Sequence, residues 1–102
     1  QVVETRVLSG RIGEYIVVAR RYADGSWAVG GMTNWDERDV KVSFSFLPAG
    51  KVFDATFMTD GPNASHNAED YQLDSARIGA TVRRTIHMAP GGGFAVTLKP
   101  MP

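Results

Sequence analysis

The chain has 102 residues, 43% of them apolar and 10% aromatic, a composition of ordered globular proteins and far from the low-hydrophobicity, high-charge signature of disorder. Eleven basic residues balance eleven acidic ones, and the longest basic runs are the doublets Arg20-Arg21 and Arg83-Arg84. Nucleic acid and anionic membranes are therefore not expected partners. Cysteine is absent, which removes disulfides and thiolate metal sites, and no apolar run nears the roughly 20 residues needed to span a bilayer.

The N-terminus lacks the basic start and apolar middle of a signal peptide and begins with Gln, so a piece excised from a longer chain is expected. Residues 2–8 end in the alternating Thr5-Arg6-Val7-Leu8, a short strand at best before Ser9-Gly10 and Ile12-Gly13 interrupt it. Residues 14–34 form the central hairpin. Tyr15, Val17 and Ala19 point to one side and Ile16, Val18 and Tyr22 to the other, so this strand is apolar on both faces and is expected in the interior of a sheet. Ala23-Asp24-Gly25-Ser26 is the turn, and residues 27–33 return. Gly30-Gly31 inside the return strand signals a bulge or a neighbour packed close to the backbone.

Beyond the polar Asn34-Trp35-Asp36-Glu37-Arg38, residues 39–46 alternate Val40, Val42, Phe44 and Phe46 with Lys41, Ser43 and Ser45, the pattern of a half-buried strand. A turn at 47–50 leads into 51–59, with Phe53, Ala55 and Phe57 on one face. Residues 60–70 are a polar loop containing Gly, Pro and two Asn. Residues 71–75 resume extended structure, 76–80 turn at Gly79, and 81–88 place Val82, Ile86 and Met88 on a face that Arg84 interrupts. Ala89-Pro90-Gly91-Gly92-Gly93 turns the chain into the last strand, with Phe94, Val96 and Leu98 on its buried side. Nowhere do apolar residues hold a helical period over three turns, and turn signals recur every 8 to 12 residues. The expected fold is all-β: an antiparallel two-sheet sandwich of seven or eight strands with no substantial helix, a single domain over 1–102.

Catalytic chemistry finds little to stand on. His66 lies near Asp60, Glu69 and Asp70, but their spacing does not fit an alternating-carboxylate calcium loop. His87 alternates with Thr85 on a polar strand face, and two separated histidines cannot build a zinc site. Asp36 and Glu37 are sequence neighbours, as are Glu69 and Asp70, and neither pair spans a sugar-sized cleft. The serines sit in or beside turns without a nucleophile motif, and the glycine-rich turn precedes a strand, not the helix that a phosphate loop requires. Asn63-Ala64-Ser65 matches the N-glycosylation pattern. Of the aromatics, Trp27 alternates in phase with Val29 and reads as core, whereas Trp35 in its polar loop reads as exposed or interfacial.

Five stretches, taken together and in order, resemble the C-terminal domain of glycoside hydrolase family 97, a group of bacterial α-glucosidases and α-galactosidases. They are ETRVLSGRIGEYIVVARR (4–21), WAVGGMTNWDER (27–38), FLPAGKV (46–52), DGPNASHNAEDY (60–71) and APGGGFAVTL (89–98). The resemblance implies an accessory β-sandwich that follows a catalytic (β/α)8 barrel and a large N-terminal β-domain. It also places the catalytic carboxylates and a calcium ion in those other parts, so no catalytic, cofactor-binding or metal residue is assigned here. The expected partner is the barrel of the same parent chain, with Trp35, Met32, Met58 and Tyr71 as candidate contacts. They lie at strand ends or opposite the cleaner core stripes. The alternative is a carbohydrate-binding module that grips an oligosaccharide, an α-glucan or α-galactoside, through exposed aromatics. A periplasmic or secreted bacterial location is implied by the family alone.

Overall fold

The computed structural model describes residues 1–60 and 71–102. Eight strands are present among them: β1 (Val2–Arg11), β2 (Tyr15–Tyr22), β3 (Trp27–Thr33), β4 (Arg38–Ser43), β5 (Phe53–Asp60), β6 (Tyr71–Ile78), β7 (Arg83–Met88) and β8 (Gly93–Pro100). They form two antiparallel sheets, one of six strands in the order β1-β2-β3-β8-β5-β6 and one of two, β4-β7. The polar loop expected at 60–70, with His66, Glu69, Asp70 and the Asn63-Ala64-Ser65 pattern, lies outside the described residues except for Asp60.

The hairpin folds as its sequence dictates. Gly25 takes a φ of 89°, and the Asp24 carboxylate accepts hydrogen bonds from the Ser26 backbone N–H and hydroxyl at 2.9 and 2.6 Å. The pair Gly30-Gly31 is no bulge, because β2 and β3 stay in register from Tyr15↔Thr33 to Arg21↔Trp27. A neighbour packs close instead: a β-carbon on Gly31 would collide with the Phe94 ring.

Alternation decides what is buried. Val17 and Ala19 on β2, Trp27 and Val29 on β3, Phe53, Ala55 and Phe57 on β5, and Phe94, Val96 and Leu98 on β8 share the inner face of the large sheet. The small sheet supplies Val40, Val42, Ile86 and Met88, with Phe44 behind β4. Trp27 and Phe46 lie with ring centroids 4.7 Å apart, and Phe44 meets Phe57 edge-on at 6.2 Å.

Two strands cannot cover six, and cations close the margins. Arg84, which breaks the apolar stripe of β7, lies 4.3 Å over the Phe57 ring and 3.5 Å from Asp74 on β6. On the other side Arg38 sits 4.9 Å over Tyr15 and Arg6 5.9 Å over Trp27. Long cationic side chains cover apolar surface with their stems while keeping the charge wet.

Three expectations need correction. The first strand is not a short one: β1 runs ten residues, because pairing with β2 carries the backbone through Ser9 and Gly10, with register shifts between Val2 and Glu4 and between Val7 and Ser9. The strand expected over 39–46 ends at Ser43, after which Phe44 to Leu47 turn, closed by Leu47 N–H to the Phe44 carbonyl at 3.0 Å. The strand expected over 71–75, with a turn from 76, runs on to Ile78, because pairing with β5 continues through Ala76 and Arg77. Strand β2 is interior as expected. It lies inside the sheet, between β1 and β3, yet only one of its two apolar faces is buried, and Ile16 is exposed.

Candidate functional site

The unburied side of β2 belongs to a surface that the strand register assembles across the whole large sheet. Val7 pairs with Val18, Val18 with Gly30, Gly30 with Ala95, Ala95 with Met58 and Met58 with Leu73, one row crossing all six strands. Five inter-strand spacings make that row about 24 Å long. The next row towards one end adds Ile16 paired with Met32, and Tyr71 on β6. Val7, Ile16, Met32, Met58, Tyr71 and Leu73 are all exposed, Met32 at 69% and Leu73 at 62%. The opposite neighbouring row is polar apart from Ala28: Thr5, Arg20, Ala28, Thr97, Thr56 and Ser75. The apolar side chains thus form a bounded band, not a random scatter. An open groove of about 610 Å³ at its β1–β3 end lies between Val7, Ile12, Ile16 and Met32.

The four residues singled out in the sequence fall in two places. Met32, Met58 and Tyr71 share the outer face of the large sheet, whereas Trp35 stands apart on the β3–β4 loop, 86% exposed. Its loop is well tied. The Asn34 N–H donates to the Glu14 carbonyl at 2.8 Å, the Asn34 side-chain amide donates to the Gly13 carbonyl at 3.1 Å, and its side-chain oxygen accepts from the Asp36 N–H at 3.0 Å. A methyl group on Gly91 would lie 3.5 Å from the Trp35 ring, so the indole rests beside the β7–β8 turn. That turn is fixed in its own right, since the Asp60 carboxylate accepts from the backbone N–H groups of Ala89 and Gly93 at 2.8 and 3.2 Å.

Sequence reasoning missed Val7, Ile16 and Leu73. The signal for Ile16 was present in the two-sided apolarity of residues 15–22, which predicts cover on both faces where the described residues supply it on one. Leu73 and Val7 sit on edge strands whose facing could be read only after their pairing was known.

Reactive groups are sparse. His87 is half-exposed on β7, its Nδ1 hydrogen-bonded to Asp39 at 2.7 Å and its Nε2 3.6 Å from Glu37. Among the described residues no three His, Cys, Asp or Glu side chains come together as a metal site, so the calcium implied by the family resemblance has no fitting donor set in them. Arg6 and Arg21 hydrogen-bond the Glu4 carboxylate and hold its pKa below the ordinary value of 4.5. What the geometry offers is adsorption of an apolar partner, not bond-breaking chemistry.

Among the described residues the domain is a lopsided all-β sandwich with one exposed apolar face and no catalytic constellation. The family described as "Glycosyl-hydrolase 97 C-terminal, oligomerisation" matches residues 1–99, and the chain belongs to that family. It is 47% identical over 96 residues to a retaining alpha-galactosidase of Bacteroides thetaiotaomicron, an alignment covering 94% of this chain and 14% of that protein. A family 97 glycoside hydrolase from Pseudoalteromonas sp. strain K8, solved with acarbose, superposes with a TM-score of 0.92 at 30% identity over 97% of this chain and 16% of its own. A beta-arabinopyranosidase shares the fold at a TM-score of 0.65 and 23% identity, over 92% of this chain and 14% of its own. The chain thus spans about one seventh of the length of the relatives it matches.

Proposed function

We propose that this domain is the non-catalytic C-terminal module of a longer glycoside hydrolase, and that the outer face of its large sheet packs against a catalytic (β/α)8 barrel in the same chain. One observation carries this reading: the register aligns exposed aliphatic side chains across six strands, on the face turned away from the small sheet. A patch of that kind marks an interaction surface, and burying each such side chain is worth on the order of 1.5–3 kcal/mol. The kinship with a retaining alpha-galactosidase makes hydrolysis of an α-galactoside the proposed reaction of the parent, with its carboxylates and any calcium outside this chain. Association of whole chains, the role the family description names, is proposed to accompany the packing, and sedimentation of the parent with and without this module measures it. Export to the periplasm or medium is proposed on the same kinship and is checked by fractionating the source cells.

The packing is tested in the full chain by Met58→Glu combined with Leu73→Glu, which sets two carboxylates into the proposed interface. Thermal unfolding is expected to shift down by several degrees or to split into separate domain transitions. An unchanged profile would count against the packing. The sugar-binding alternative is favoured by exposed aromatics, foremost the indole of Trp35 and also Tyr71. Calorimetric titration with maltooligosaccharides and α-galactosides is expected to give no saturable heat, and binding lost in Trp35→Ala would replace docking with carbohydrate recognition.

A further inference from the structure

Strand β1 forms one edge of the large sheet and β6 the other, and among the described residues no strand pairs with either on its open side. An open edge presents a row of N–H and C=O groups that can template pairing with another chain, and folded domains blunt it with bulges or charges. Both devices are present on β1. Its register against β2 shifts between Val2 and Glu4 and between Val7 and Ser9, which leaves Glu4 to Val7 as a regular run. The two charges in that run are of opposite sign and two residues apart, on the inner side of the sheet. There the Glu4 carboxylate accepts hydrogen bonds from Arg6 and, at 3.0 Å, from Arg21.

A two-fold axis perpendicular to a sheet sets two copies of an edge strand side by side and antiparallel, each residue opposite one of the same face. Placed beside Thr5, such an axis sets Thr5 against Thr5, Glu4 against Arg6 and Arg6 against Glu4, with the exposed Val3 and Val7 meeting at each end. Opposite charges directly across a strand pair attract, and like charges repel. The edge of β6 has no equivalent register. Its Asp74 and Arg77 lie opposite Phe57 and Asp54 of β5 and so on different faces, where no such axis brings them together. Arg84 moreover holds Asp74 at 3.5 Å.

We infer that the open edge of β1 is an isologous contact with a second copy of this chain, the two strands pairing antiparallel about Thr5 with reciprocal Glu4–Arg6 bridges. This rests on the proposed association of whole chains and gives it a surface and a register. The seam lies at the edge of the sheet, apart from the middle of the outer face. Because it is short and its bridges are solvent-exposed, the association is reversible and weakens as salt is added.

The test is sedimentation equilibrium of the full-length parent. Glu4→Arg and Arg6→Glu, each alone, put like charges across the seam and are expected to weaken association at least about tenfold. An equimolar mixture of the two variants should regain it as a mixed dimer, since opposite charges then face each other again. Hydrogen exchange of the β2 and β3 amides, unchanged from the parent, shows that each variant is folded. Thr5→Cys gives a second reading that leaves the charges alone. Facing residues of an antiparallel pair lie about 4.5–5.5 Å apart, within reach of a disulfide. Mild oxidation should therefore join the two introduced thiols, identified by peptide mass mapping, while Ser75→Cys on β6 should stay unlinked. In a parent that self-associates, unchanged association of the charge variants, no recovery on mixing, or no link through Thr5→Cys would each overturn the β1 seam and leave the association of whole chains standing. A parent that sediments only as a monomer would overturn both.

Discussion

Gly30 and Gly31 are adjacent in one strand, yet they report on opposite worlds. Gly31 faces the inner side of the large sheet, where the Phe94 ring occupies the space a side chain would need, and every large neighbour there is buried. Gly30 faces the outer side, where among the described residues the space over it is open, between Val18 and Ala95, and where Met32, two residues on, is exposed. The sheet therefore has one face completed as a core by the small sheet and one face on which an apolar band lies exposed. The inner core carries the stability of the domain, and the outer band is the surface proposed for attachment.

If that division is right, substitutions on the two faces of the domain should separate sharply. Phe57→Ala removes a buried ring that Phe44 and Arg84 pack on, and is expected to cost about 3–5 kcal/mol by equilibrium denaturation of the domain. Next in size, Gly31→Ala forces the Phe94 ring aside and should cost about 1–3 kcal/mol. Gly30→Ala, one residue away, should instead stabilise the isolated domain by roughly 0.5–1 kcal/mol, because only the unfolded chain loses freedom. A loss at Gly30 matching that at Gly31 would erase the contrast. Leu73→Ser on the outer face is expected to stay within about 0.5 kcal/mol of the parent domain.

The smallest effect lies at the inner-face margin. Hydrogen bonds from Arg6 and Arg21 depress the Glu4 pKa in the folded state, so their contribution is present above the ordinary value of 4.5 and is lost as pH falls through the folded value. Acid titrations of the domain and its Glu4→Gln variant should therefore diverge at neutral pH and converge as the pH falls below 4.5 and through the folded value. Equal separation at all pH values would show that the ion pair is not the cause.

The same division explains what could be read from the sequence. Strands with a single apolar face, such as residues 53–57 and 94–98, announce their burial directly, since alternation and core membership coincide there. Arg84 could be seen to interrupt a stripe, but its seat on the Phe57 ring depends on the small sheet failing to reach β6, a fact of width that no local pattern encodes. For β2, apolarity on both faces correctly marks a strand paired on both edges. It cannot say that the described residues leave the second face exposed. Met32, Met58 and Tyr71 could be flagged as lying off the core stripes, while their union with Val7, Ile16 and Leu73 into one band required the register of six strands. Trp35 could be placed in a polar loop, but not its separation from that band.

The docking claim is tested most directly by methionine and aromatic oxidation footprinting of the 102-residue domain beside the full-length parent. In the isolated domain Met32 and Met58 should label readily and the buried Met88 should not. In the parent, Met32 and Met58 should become protected several-fold while Met88 is unchanged. Equal labelling of Met32 and Met58 in both proteins would contradict the account.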